Sequence, residues 1–197
     1  MAAGDAEGVR SRIGEGDWLT VGPGGAQLFD GETLQGWWPL TGGWRVEEGR
    51  LHAATSRRIQ FLLSRWIAPG PFELLAQVQL LERGSNDGKM LGFLDAAGRY
   101  VQITLDDEPD RLTLLTGHKH FDADGVYGTW NVESSAELPM ETGEWYEVVC
   151  RIDGSTFTAS AGEARLSHPF EVEFPVFLWL EVQRTGGAFR GLGVSRR

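Results

Sequence analysis

Three segments set polar and aromatic side chains at two-residue intervals, the spacing at which neighbours on one face of a β-strand line up. They carry Glu73, Gln77 and Gln79; Tyr100, Gln102 and Thr104; and Trp179, Glu181 and Gln183. Amides and carboxylates make paired hydrogen bonds to vicinal hydroxyls, and indole or phenol rings cover the C–H face of a pyranose, so this is chemistry suited to a sugar. A fourth stretch, between Gly117 and Trp130, adds His118, His120, Asp122, Asp124, Tyr127 and Trp130. From these sets Glu181, Glu73, His118 and His120 are the candidates for moving protons. Gln77, Gln79, Tyr100, Gln102, Trp130, Trp179, Gln183 and Tyr127 are the candidates for holding a ligand. Taken singly, each fits the ordinary solvent face of an antiparallel sheet, and Phe121, Tyr127 and Trp130 equally suit a loop packed on that sheet.

Other chemistries find less support. His118 and His120 alternate with Asp122 and Asp124, yet no further spaced His or Cys completes a transition-metal set. The run Asp106-Asp107-Glu108-Pro109-Asp110 offers oxygen ligands for Ca²⁺ without the spacing of a dedicated calcium loop, and a solvated acidic turn is the simpler reading. No cofactor is assigned, and calcium is the divalent cation left open. The chain has no Gly-x-Ser-x-Gly nucleophile motif and no Glu-x-Asp-x-x-Glu strand of the kind that supplies two carboxyl groups across a glycosidic bond.

The elements that must position these residues read as strands throughout. With 27 glycines, 3 methionines and no sustained helical periodicity, the 197 residues predict an all-β, two-sheet antiparallel β-sandwich. Alternation places Phe72, Leu74, Ala76, Val78 and Leu80 in the core, with Val101, Ile103 and Leu105, and with Val176, Leu178, Leu180 and Val182. At most a turn is expected around Leu62 to Trp66 or near Ala136. Residues 1–22 read as a flexible lead-in and 23–197 as one domain, with Gln27 to Phe29 pairing with the segment from Gly187 to Val194. The connection from Thr116 to Gly143 exceeds the ~12–15 residues usual for a structureless loop and is expected to border the site. Cys150 alternates with apolar neighbours and reads as a buried, inert thiol. A net charge of −10 argues against a nucleic-acid partner, and no segment is apolar for long enough to span a membrane as a helix. The start lacks an apolar leader core, so the chain is cytoplasmic or secreted with its signal peptide absent from this sequence. Oligomeric state is left open.

Phe29-Asp30-Gly31-Glu32-Thr33-Leu34-Gln35-Gly36-Trp37, followed by Trp44-Arg45-Val46-Glu47-Glu48-Gly49-Arg50-Leu51, resembles the opening of the 3-keto-disaccharide hydrolase-like domains. Asn86-Asp87-Gly88, Gln102-Ile103 and Gly143-Glu144-Trp145 continue the likeness, which covers roughly residues 26 to 195. Tyr100 stands where the family carries a carboxylate, and the family's arginine has no counterpart near Gly92 to Asp95. The resemblance implies a concanavalin A-like jelly roll, a mono- or oligosaccharide partner, and cleavage of 3-keto-glycosides, in which the oxidised C3 acidifies the C2 proton. Glu73, Glu181 or a loop histidine would then be the base. A non-catalytic lectin-like carbohydrate-binding module and a protein-interaction domain are the alternatives.

Overall fold

The structure, a computed structural model, describes residues 18–84, 88–95, 97–121 and 126–196, with the backbone alone for His120, Phe121, Val126 and Tyr127. Sixteen strands follow one another: β1 (Leu19–Thr20), β2 (Ala26–Gln27), β3 (Trp37–Pro39), β4 (Trp44–Glu47), β5 (Arg50–Ala53), β6 (Gln60–Ala68), β7 (Phe72–Leu80), β8 (Gly88–Leu94), β9 (Arg99–Asp106), β10 (Arg111–Phe121), β11 (Val126–Glu137), β12 (Trp145–Ile152), β13 (Thr156–Ala161), β14 (Ala164–Pro169), β15 (Val176–Val182) and β16 (Gly187–Arg196). They form two eight-stranded sheets. The front sheet runs β1-β6-β15-β8-β9-β10-β11 with β3 beside β6, and the back sheet runs β14-β13-β12-β7-β16-β5-β4 with β2 beside β16. All pairings are antiparallel except β1 with β6. This is the expected jelly-roll sandwich.

Alternation fills the space between the sheets. Leu91, Phe93, Val101, Ile103, Leu105, Leu178, Leu180 and Val182 come from the front, and Phe72, Leu74, Ala76, Val78, Val148, Cys150 and Phe157 from the back. Phe93 bridges the layers, its ring 5.6 Å from Phe72 and 5.7 Å from Phe157. Burial pushes the Cys150 thiol far above its usual range, which leaves it inert. The expected pairing of the two ends holds: Ala26 and Gln27 lie beside Val194 and Gly193.

Three expectations are corrected. Leu62 to Trp66 and Ala136 lie within β6 and β11, so neither is a turn. The supposed loop from Thr116 to Gly143 is largely a β-hairpin, β10 pairing with β11 along its length. Residues 18–22 are ordered parts of the sandwich: β1 pairs with β6, Val21 is buried, and Trp18 packs on Phe177 at 4.9 Å.

Candidate functional site

The outward face of the front sheet can be read as rows of side chains running across the strands. One row runs Trp130, Gly117, Tyr100, Leu94, Phe177. The next is Val132, Leu115, Gln102, Gly92, Trp179, Leu63, and the third is Thr113, Thr104, Met90, Glu181, Phe61. A fourth contains Glu137, Arg111, Asp106 and Gly88. Together they floor a groove of about 470 Å³ lined by Tyr100, Gln102, Thr104, Asp106, Lys119 and Glu181 among others.

Gly92 sets the floor. A Cβ there would lie 2.0 Å from Cζ2 of Trp179, so only glycine lets the indole lie flat across β8. Trp179 is therefore fully buried, packed with Phe61, Leu63, Leu94, Tyr100 and Phe177 beneath a partial cover of Trp18, Trp38 and Leu40. Its role as a surface stacking platform is corrected: it supports the groove from below, and Tyr100, 3% exposed with its ring 5.6 Å away edge-on, does the same. Burial, then the Glu181 charge, raises the Tyr100 pKa and keeps the phenol neutral.

Lys119 and Glu181 close the groove. In a flat sheet they would stand three strand spacings and about six residues apart, roughly 14 Å by 20 Å. The Lys119 Nζ nevertheless lies 2.8 Å from Glu181 Oε2, so the end of the β10–β11 hairpin arches back over the sheet. A bulge between Leu114 and Leu115 bends the ladder. Gly117, whose Cβ would fall 1.9 Å from the Thr129 carbonyl oxygen, permits the tight approach. The ammonium sits 4.5 Å from the Trp179 ring centroid, 5.0 Å from Phe61 and 5.1 Å from Tyr100, so aromatic faces as well as the carboxylate hold the cation. Glu181 Oε1 lies 3.4 Å from Gln183 Nε2.

Beside this pair, Gln102 and Thr104 are 4% and 2% exposed, and neither Gln102 Oε1 nor Thr104 Oγ1 has a hydrogen-bond partner among the described residues. The Gln102 amide nitrogen contacts the Met90 sulfur at 2.9 Å. Asp106, in the fourth row, accepts hydrogen bonds at Oδ2 from Thr113 and Arg111, yet burial, the larger effect, raises its pKa. On the rim Trp130 is 64% and Val132 56% exposed, with Ile59 on the opposite side.

The structure separates the predicted residues into two groups. Tyr100, Gln102, Trp130, Trp179, Glu181 and Gln183 meet at the groove. Glu73, Gln77 and Gln79 do not, because β7 belongs to the back sheet and turns these side chains to that sheet's outer face. There Glu73 pairs with Arg151, Gln77 accepts from Arg190, and Gln79 bonds Arg50 and the Gly143 carbonyl. Glu73 and Glu181 therefore cannot face each other. His118 is exposed on the face of β10 opposite Lys119, away from the groove. The side chains of His120 and Tyr127, like Asp122, Asp124, Asn86 and Asp87, lie outside the described residues.

The acidic run is not a solvated turn. Asp107 is fully buried and bound by Lys89 at 2.9 Å and by Thr185 at 3.0 Å, while Asp110 pairs with Arg83. With Asp106 held by Arg111 and Thr113, these carboxylates are committed to different partners and do not converge on a cation. Among the described residues no group of three or more His, Cys, Asp or Glu is placed to hold a metal. Lys119 went unrecognised in the sequence, where nothing local marks it; the (i, i+2) alternation from Tyr100 through Thr104 reaches Asp106, which the sequence offered only as an oxygen ligand for calcium. A larger concavity, about 810 Å³, lies on the back sheet along Trp145, Arg151, Ser160 and Arg165. Among the described residues its lining has no buried polar atom without a partner, and Trp145 is covered by Arg190 at 4.0 Å.

A jelly-roll sandwich with an aromatic and polar groove on one outer sheet face defines the class: a concanavalin A-like, carbohydrate-active β-sandwich. Within that class, residues 24–166 match the 3-keto-alpha-glucoside-1,2-lyase-like domain, and the chain belongs to that family. Among solved structures it is similar to a carbohydrate-binding module from Bacillus subtilis (14% identity, TM-score 0.65, covering 90% of this chain and 99% of that one). It is also similar to a Bacillus licheniformis β-glucanase (8%, 0.62, 88% and 99%) and to a Crh5 transglycosylase in complex with NAG (10%, 0.61, 90% and 85%). No curated protein sequence matches the chain.

Proposed function

We propose that the front groove binds a mono- or oligosaccharide and that a 3-keto-glycoside bound there is cleaved. The observation that carries this reading is the pair of buried, unpartnered oxygens, Gln102 Oε1 and Thr104 Oγ1, on the floor of a groove rimmed by the exposed Trp130. Leaving such atoms unsatisfied is costly, and ligand hydroxyls supply the missing partners. The indole then covers a ring face. Family membership supports the reaction, an elimination between C1 and C2 driven by the ketone at C3. In that reaction the Lys119 ammonium is a cation of the groove able to stabilise negative charge developing on the ketone oxygen.

A second reading, a lectin-like module, is favoured by one observation: both Glu181 oxygens already have partners, in Lys119 and Gln183. Incubation of the protein with a panel of glycosides and their 3-keto derivatives, following binding and product together, separates the two. Release of the aglycone from keto substrates supports cleavage, binding without product supports the lectin, and neither overturns both.

A further inference from the structure

Asp106 occupies the groove differently from Glu181. Its Oδ2 is held from the β10 side by Thr113 Oγ1 and by Arg111 Nε at 3.3 Å. Its Oδ1 turns the other way, toward β8, lying 3.4 Å from the point where a Cβ on Gly88 would stand. That point is occupied by the Thr104 methyl, 2.2 Å from it, and Oδ1 has no hydrogen-bond partner among the described residues. One oxygen is thus anchored and the other, on a side chain that lines the groove, is unpaired, the arrangement a proton-transferring carboxyl requires. Glu181 has no such free oxygen. Asp106 and Glu181 are two strand spacings and two residues apart on the same face, roughly 12 Å between Cα atoms, and both line the groove in which the sugar would sit.

Building on the cleavage reading above, we propose that Asp106 is the base of the groove and that Glu181 is a fixed anion that holds Lys119 in place. The C2–H bond breaks, its proton passing to Asp106 Oδ1 and its electron pair moving into the C2–C3 bond to make the enolate of the 3-ketone. Return of that pair expels the glycosidic oxygen from C1, giving an enone. The departing oxygen takes a proton from water, and Asp106 returns its own proton to solvent.

The raised pKa agrees with this role, since a buried carboxyl is a stronger base than an exposed one. The groups that act on Asp106 are Arg111 and Thr113 from β10, with Glu137 opposite Arg111 on β11; Asp107, which Lys89 of β8 neutralises; and, across the groove, Glu181 with Lys119, and Gln183.

The test uses 4-nitrophenyl 3-keto-glucoside, following nitrophenol release across pH. Asp106→Asn should lower kcat by at least ~100-fold while KM stays within about threefold. Thr113→Val removes a hydrogen bond that lowers the Asp106 pKa, so the acid limb of the kcat/KM profile should move to higher pH; this arm decides the matter even if Asp106→Asn does not fold. Wild-type cleavage with undiminished Asp106→Asn turnover, or with an unmoved limb in Thr113→Val, overturns the assignment and leaves the cleavage reading standing. Wild-type binding without cleavage overturns both.

Discussion

Gln102 and Thr104 hold polar atoms that the protein itself does not satisfy, and a ligand that satisfies them gains what the fold lacks. Gln102→Ala should weaken saccharide binding roughly 3- to 10-fold, the effect of one hydrogen bond, as measured by titration calorimetry. Trp130→Ala should cost about 0.5–1.5 kcal/mol of binding with no loss of Tm, because the indole is mostly exposed and supports no core. Asp106 makes a prediction of the opposite kind. Because its pKa is raised in the fold, it contributes stability below its unfolded value near ~4, and that contribution is lost as pH rises through the folded pKa. Asp106→Asn escapes this loss, so its Tm relative to wild type should rise between pH 4 and pH 7 in thermal melts. At this scale the sequence was readable where chemistry follows strand alternation: Tyr100, Gln102, Glu181 and Gln183 share the groove as their spacing suggested. It was unreadable at Lys119, whose importance comes from a contact 62 positions away. Asp106 was read with the acidic run around it, as an oxygen ligand and not as a member of the groove.

The elements explain why part of the expected site lies elsewhere. Period-two alternation states which side chains share a face of one strand, and it was correct for β7, β9 and β15. It carries no information on which sheet a strand joins, so Glu73, Gln77 and Gln79 went to the back sheet with β7. The hairpin was missed for a related reason: glycines and histidines in β10 and β11 break the apolar pattern by which a strand is recognised. Gly92 gives the element-scale prediction. Gly92→Ala drives a methyl into the Trp179 ring, which should destabilise the protein by about 1–3 kcal/mol in urea unfolding. The same displacement should also weaken binding, since Trp179 supports the Lys119 ammonium.

For the whole molecule, the buried Lys89–Asp107–Thr185 cluster joins β8 to the turn after β9 and to the connection between β15 and β16. Lys89→Met would leave Asp107 buried without its cation and should cost about 3–5 kcal/mol of stability by denaturant titration. The sandwich class was legible from turn chemistry and alternation, but the order of strands was legible only where β2 meets β16. That order has a temporal meaning. β15 lies between β6 and β8, and β16 between β7 and β5, so the two most C-terminal strands of the sandwich occupy the interior of both sheets. Until residues 176–196 have left the ribosome, neither sheet can zip shut, and the long edges of β6, β7 and β8 stand open to pairing with other chains. Yield during expression should therefore depend on how quickly residues 176–196 find their places, and on whatever shields the waiting edges until they do.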